Sequence, residues 1–301
     1  MRPLLSLGMR TESRWLPYLI VLPALLLTAG ILYPFALAGY YSLTDYNLLS
    51  PVRNFIGLRN YLDLLRSGEF WRSLGLTLLY AALVVAVEVP LGLGLALLLH
   101  LEIRSIRFFR FLFILPLMMP PVVAALMWKI ILAENGILNL LLSRAGWDPV
   151  PWLANAFSLL SILLIDVWLF TPFCTVILLA GLQSLPKEPF ESCQVDGASA
   201  WFTFTQLTLP MLKPFLILAT LFRAIDSLKM FDLVYATTKG AHSTMLLQLN
   251  AYYESFRWYR MGRALAYMMI LWLVVYLSSR LLVRSWSRSM RIAAGKPAGE
   301  A

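Results

Sequence analysis

The sequence predicts an all-α, polytopic membrane protein with six transmembrane helices and one long polar loop between the fourth and the fifth. Three observations carry this. Hydrophobic residues make up 60% of the 301 and charged ones only 14%, far more apolar than a soluble domain of this size. The apolar residues fall into runs of about 20 or more, the length a helix needs to cross a bilayer core. The basic residues behind the formal charge of +9 collect at the ends of those runs, as topology determinants do, and form no stripe with interleaved aromatics of the kind that binds nucleic acid.

Residues 1–15, with Arg2, Arg10 and Arg14, read as a basic cytoplasmic tail. The run from Leu16 to Tyr40 reads as an uncleaved first span, because it has full spanning length and no small-residue cleavage site. Tyr41 to Trp71 is a polar interlude that suits an interfacial amphipathic helix. The second span, about Ser73 to Leu99, carries Glu88, Pro90, Gly92 and Gly94. A carboxylate in mid-span costs about 2.5–3.5 kcal/mol, so Glu88 faces protein or water, and the two glycines permit close approach of a neighbouring helix.

Arg104, Arg107 and Arg110 mark a cytoplasmic turn. The third span, about Phe111 to Leu132, contains Pro116, Pro120 and Pro121, which break the helical ladder and are tolerated beside protein or a water-filled cavity. Trp128 lies beyond the break. Ala133 to Ser158 reads as an external loop with Trp147 and Trp152 at the interface, and the fourth span, about Leu159 to Leu182, holds Asp166, Trp168 and Phe173. The fifth span runs from near Met211 to near Tyr235. On it Arg223, Asp226 and Lys229 recur every three residues on one face and Asp232 closes a ladder of alternating sign, which serves either as a packing salt bridge or as the wall of a polar cavity. Thr237 to Arg263 is a further external loop. The last span, about Ala264 to Val283, leads into a basic tail at 285–301 with Arg288, Arg291 and Lys296, which puts both termini in the cytoplasm.

The polar loop, Leu185 to Pro214, carries Lys187, Glu188, Glu191, Asp196 and Lys213 and must lie in water or against another protein. Pro186 and Pro189 sit where a helix can begin, with Phe190, Cys193 and Val195 as its apolar partners. Asp196-Gly197 signals a turn, and Ser199 is placed to cap a second short helix that Pro210 ends or kinks. The product is a helix–turn–helix knob on the membrane face.

Within the loop, Gly197 follows Glu191 by six residues, Leu207 follows Gly197 by ten, and Leu209-Pro210 comes next. This resembles the cytoplasmic loop of membrane subunits of binding-protein-dependent ABC importers, Glu-Ala-Ala, three residues, Gly, nine residues, Ile, one residue, Leu-Pro. Ser192 and Cys193 replace the two alanines and Leu207 the isoleucine. The string Val195 to Trp201 is similar to the carbohydrate branch of that family. So are Gly57, Leu58, Asn60 and Tyr61 before the second span, Asp166, Trp168, Thr171, Pro172 and Phe173 in the fourth, and Phe222, Arg223, Asp226, Phe231 and Asp232 in the fifth.

The resemblance implies a six-span importer domain at 16–284 with a coupling-helix loop at 185–214, in the bacterial cytoplasmic membrane. Glu191, Ser192, Cys193, Asp196, Gly197, Ala198, Leu209 and Pro210 then contact a pair of separate ATP-binding subunits, which hold ATP and Mg. A second homologous permease subunit and an extracytoplasmic sugar-binding protein complete the assembly. The substrate it implies is a di- or oligosaccharide such as trehalose or maltose, moved by alternating access. Glu88, Trp128, Asp166, Trp168, Phe173, Arg223 and Asp226 are the candidate pathway residues.

A glycerol-phosphate importer is the neighbouring alternative, since Arg223 could meet a phosphate; against it, Asp226 is expected to neutralise Arg223. An ion-coupled secondary carrier could use Glu88, Asp166 and the fifth-span ladder as relays, but has no need of the knob's spacing. A membrane-embedded enzyme has no visible catalytic motif. The only Gly-Lys pair, Gly295-Lys296, precedes Pro297 and makes no phosphate loop, so no ATP hydrolysis by that route is expected of this chain. Two cysteines, Cys174 and Cys193, and two histidines, His100 and His242, have no disulfide or metal-ligand pattern; the histidines read as boundary residues.

Overall fold

The computed structural model describes residues 16–50, 52–101, 106–154, 156–241 and 243–293. The expectations for the N-terminal tail with Arg2, Arg10 and Arg14, and those for Arg104, His242 and Lys296, lie outside the described residues, while 285–293, expected as tail beyond a span ending near Val283, continue the last helix.

Thirteen α-helices follow in order among the described residues: α1 (Leu16–Ser42), α2 (Arg59–Arg66), α3 (Gly68–His100), α4 (Ile106–Ile114), α5 (Pro121–Ile131), α6 (Ile137–Arg144), α7 (Phe157–Gln183), α8 (Glu188–Val195), α9 (Ala200–Thr203), α10 (Leu209–Leu228), α11 (Asp232–Thr237), α12 (Leu247–Phe256) and α13 (Met261–Ala293). A short 3-10 turn at Leu115–Met118 links α4 to α5, and a π-helical turn at Phe204–Thr208 links α9 to α10. β pairing is limited to one antiparallel bridge, Thr44 to Phe55, among the described residues. Five segments are long and apolar enough to cross a membrane, and α4 with α5 makes a sixth as a pair bent by 96°. The bend falls at Pro120-Pro121, whose missing amide donors end the ladder there. The third span is therefore a sharply broken one.

The packing order follows from where the small residues lie. α3 and α7 form the central pair, with α10 laid against both. A Cβ at Gly92 would stand 2.7 Å from Cys174 Cβ, and one at Gly181 would stand 2.6 Å from the Phe215 ring, so α7 meets α3 and α10 through glycines. Gly94, expected to share this role, faces open space. α13 packs on α10 and α12, and α1 leans on α13, with Phe35 against Trp272. The exposed Leu and Ile residues along α1 suit a helix bathed in lipid.

The interlude between the first two spans folds into a clasp. Gly57 adopts φ +58°, which starts the turn into α2. Asn60, 9% exposed, then donates to the carbonyls of Ser42 and Thr44 at 2.8 and 2.9 Å, while the Tyr61 hydroxyl meets Ser42 at 2.6 Å. Asn60 thus ties off the end of α1. Gly262, at the start of α13, lies under the same corner, where any Cβ would collide with the Thr44 carbonyl oxygen. Beside it Asn54 donates through both backbone and side chain to Asp45, which holds that carboxyl below its usual range.

Three expectations need correction. The second span begins at Gly68, so the interlude is shorter than its polarity suggests. The segment Thr237 to Arg263 is no simple loop, since α12 buries Leu247, Leu249 and Ala251 against α3 and α13. The fifth span stops at Leu228; a break at Lys229 to Phe231 precedes α11, whose first residue, Asp232, suits the positive end of a helix. That break lets the ionisable residues beyond Arg223 leave the apolar zone.

Replacing Asn60 by Ala should strip donors from two buried carbonyls and lower stability by about 1–3 kcal/mol. A fall in the thermal unfolding midpoint of the protein in lipid nanodiscs is the expected readout.

Candidate functional site

The interior of the α3, α7 and α10 bundle is polar at one level. Ser73, Thr77, Tyr80, Val84, Glu88, Gly92 and Ala96 form the buried stripe of α3 at helical spacing, so Tyr80 and Glu88 point the same way two turns apart. Asp166 of α7 and Arg223 of α10 converge on them, and all four side chains are fully buried. The Arg223 fork takes both oxygens of Glu88, through Nε to Oε2 and through Nη2 to Oε1 at 3.1 Å. Nη2 also reaches Asp166 Oδ1 at 3.1 Å, and the Tyr80 hydroxyl donates to Asp166 Oδ2 at 2.6 Å. Every carboxylate oxygen of the pair accepts a bond. The guanidinium lies 4.4 Å from the centre of the Phe170 ring, a cation–π contact.

This corrects the charge pairing expected from spacing. Asp226 does not neutralise Arg223; it is exposed and meets Lys229 at 3.6 Å, while the alternating ladder is interrupted where α10 ends. Helical spacing alone showed which residues share a face of α10, but the partners come from two other helices, 57 and 135 residues away.

The other candidate pathway residues fall in two places. Trp128 of α5 and Trp168 of α7 meet edge to face at 5.6 Å, and Phe173 meets Phe222 of α10 at 6.0 Å. Of the seven, Glu88, Asp166 and Arg223 meet in one cluster, and Arg223 and Asp226 share a cavity wall. Sequence reasoning missed Tyr80, which its place two turns before Glu88 could have signalled, and Phe170, one turn after Asp166.

Toward the end of α10 remote from α8, the broken helices border a half-open cavity of about 260 Å³ with Pro121, Phe170, Arg223, Asp226, Lys229 and Phe231 in its wall. This is the setting expected for irregular backbone inside a membrane protein, next to a cavity rather than lipid.

At the other end, α8 to the start of α10 forms the expected knob. Pro189 occupies the first turn of α8, and Glu188 and Glu191 stand at its positive end. The helix closes with the Ala198 amide on the Cys193 carbonyl at 2.9 Å and the Gly197 amide on that of Gln194 at 3.2 Å, a double bond pattern that needs the φ of +70° at Gly197. Ser199 caps α9 by accepting from the Phe202 amide at 3.2 Å.

Glu191, Ser192, Asp196, Gly197, Leu209 and Pro210 are exposed, and Cys193 and Ala198 half-buried. Val195, expected to be an apolar partner inside the knob, is instead 87% exposed, and Trp201 is 73% exposed. Pro210 does not end the second helix either. It sits in the first turn of α10, and the π-helical turn before it lets α9 run on into the fifth span. A crevice of about 450 Å³ separates α8 from the ends of α3 and α7, between His100, Gln183 and Phe190.

A bundle of apolar spans with a broken third helix, a buried ion cluster and a polar helical knob at one end is the architecture of a multi-pass membrane permease. The chain belongs to the family of binding-protein-dependent transport system inner membrane components, whose profile matches residues 88–291. It is 40% identical over 256 residues to a probable ABC transporter permease protein of Sinorhizobium fredii, covering 83% of this chain and 81% of that protein. It is 36% identical to the trehalose/maltose transport system permease protein MalF of Thermococcus litoralis, over 79% of this chain and 83% of the relative. A solved bacterial ABC transporter involved in the import of the acidic polysaccharide alginate shares the fold, with a TM-score of 0.79 at 23% identity over 91% of this chain and 96% of that one.

Replacing Arg223 by Met leaves two buried carboxylates unpaired and should cost about 3–5 kcal/mol. The expected result is loss of the monodisperse protein on size-exclusion chromatography after extraction. Removing all three charges together, as Glu88→Leu, Asp166→Leu and Arg223→Met, should recover much of it.

Proposed function

We propose that this chain is a permease subunit of an ATP-driven ABC importer that carries a carbohydrate, in particular a neutral di- or oligosaccharide such as trehalose or maltose, by alternating access. The observation that carries the coupling half of this reading is the knob. Its glutamate, its left-handed glycine and its Leu-Pro stand exposed on a rigidly capped helical unit built directly onto the ends of α7 and α10. Val195 and Trp201 add apolar surface of the kind that a groove on another subunit covers.

ATP, with Mg, is bound in a separate pair of ATPase subunits that hydrolyse it, and closure of that pair shifts the knob and with it the spans. A second homologous permease subunit and an extracytoplasmic sugar-binding protein complete the importer. The knob lies in the cytoplasm, as do both termini of a chain held in the bacterial inner membrane, and the half-buried Arg110 at the same end agrees with this side.

The carbohydrate half rests on the relatives. The Thermococcus litoralis protein is named for trehalose and maltose, and the trehalose transport system permease protein SugA of Mycobacterium tuberculosis is 34% identical over 85% of this chain. The ion cluster bears on the alternatives. The charge of Arg223 is already matched by two carboxylates, which disfavours a phosphate partner and hence glycerol phosphate. An ion-coupled carrier is disfavoured because Arg223 is engaged with Glu88 and Asp166 and does not continue into the Asp226–Lys229 pair.

The test is the ATPase rate of the complete complex in lipid with binding protein and sugar. Glu191→Ala and Gly197→Asp should each abolish at least nine-tenths of the sugar-dependent stimulation, the second because only glycine readily holds the turn's φ. Undiminished stimulation in both would refute the coupling role.

A further inference from the structure

Beyond the ion cluster, the described residues include a pair of buried polar atoms of opposite sense that the fold leaves unpartnered around one space. Arg223 Nη1 has no acceptor, although its residue is fully buried; Gln248 Oε1 on α12 has no donor, although the atom is buried. Both residues line the cavity of about 260 Å³ at the α10–α11 break. Leaving a buried donor or acceptor unpaired is costly, so two of them around one cavity favour a ligand that satisfies both.

Gln248 is held firmly. It is the second residue of α12, and the amide of the preceding Leu247 donates to Thr77 Oγ1 of α3 at 2.9 Å, which pins the start of that helix to the central bundle. Gln248 and Phe231 also line a second cavity of about 210 Å³ that runs on between α12 and α13. Together the two spaces fall in the range of roughly 300–1,000 Å³ typical of small-ligand sites. Phe231 packs against Tyr235 and Tyr252 with ring centres 5.1 Å apart, so the shared wall is aromatic.

We infer that Gln248 is a specificity-determining residue, and that its side-chain carbonyl accepts a hydrogen bond from a ring hydroxyl of the transported sugar while Arg223 Nη1 donates to an oxygen of the same molecule. This deepens the proposed function and rests on it. A hydroxyl both donates and accepts, so a polyhydroxylated ring satisfies the two orphans together, and its apolar face covers Phe231. The contact lies on α12, outside the three helices of the ion cluster, and it makes the segment after the fifth span part of the recognition surface.

The experiment uses the whole importer in cells, with radiolabelled trehalose and maltose as probes. Gln248→Met keeps the volume and removes the acceptor. With equal amounts of assembled complex in the membrane, KM for uptake should rise about tenfold, the loss of one buried hydrogen bond. Gln248→Glu, which keeps an acceptor at this position, should stay closer to wild type. Among monodeoxy analogues of the transported sugar, one should be taken up poorly by the wild type yet as well as the parent sugar by Gln248→Met, a result that a merely structural residue would not produce. Wild-type uptake of either sugar with an unchanged KM in Gln248→Met overturns the inference and leaves the importer reading standing. Failure of the wild type to take up either sugar while it takes up glycerol 3-phosphate overturns both.

Discussion

A guanidinium and two carboxylates buried in a membrane protein are the constraint on which the rest of this structure depends. None of the three can be left unpaired without a penalty of several kcal/mol, and each sits on a different helix. Only one arrangement of α3, α7 and α10 brings them together with Tyr80. The glycine contacts at Gly92 and Gly181 let the helices close to the distance at which the fork and the carboxylates meet. Apolar packing alone would tolerate sliding or rotation of these helices, because hydrocarbon offers little preference between one apolar face and another. The ion cluster supplies the register.

That register explains how the two ends of the bundle are connected. The knob grows from the end of α7 and runs through the π-helical turn into α10, two of the three helices joined by the cluster. A displacement at α8 is therefore carried by a unit fastened in its middle. At the opposite end the backbone is allowed to be irregular: the Pro120-Pro121 bend, the α10–α11 break and the start of α12 surround cavities, so their free backbone groups need not face lipid. The ion pairs thus lie at the middle of the bundle and the broken helices at the end remote from the knob.

The sequence made the span count, the place of the broken helix and the local chemistry of the knob legible, because each depends on residues close together in the chain. Glu191, Gly197, Ser199 and Pro189 announce a capped helix and a left-handed turn by spacing alone. The ion cluster was half legible. Glu88, Asp166 and Arg223 stood out as charges in apolar runs, but spacing favours partners three or four residues away, which pointed Arg223 to Asp226. The actual pairing minimises buried charge across helices, a tertiary quantity. The end of α10 was hidden for a related reason, since Leu, Val and Tyr continue past Phe231 and hydropathy does not register a three-residue break. Gln248 carries no signal in the sequence. A lone glutamine within a polar segment acquires meaning only when Thr77 fixes the start of the helix that carries it.

The measurement that tests the central account most directly is sugar accumulation by proteoliposomes that hold the chain with its partner subunits and binding protein, energised in separate experiments by ATP and by ion gradients. Accumulation that requires ATP on the knob side and is indifferent to proton and sodium gradients is the predicted result. Accumulation by the isolated chain driven by either gradient would contradict it.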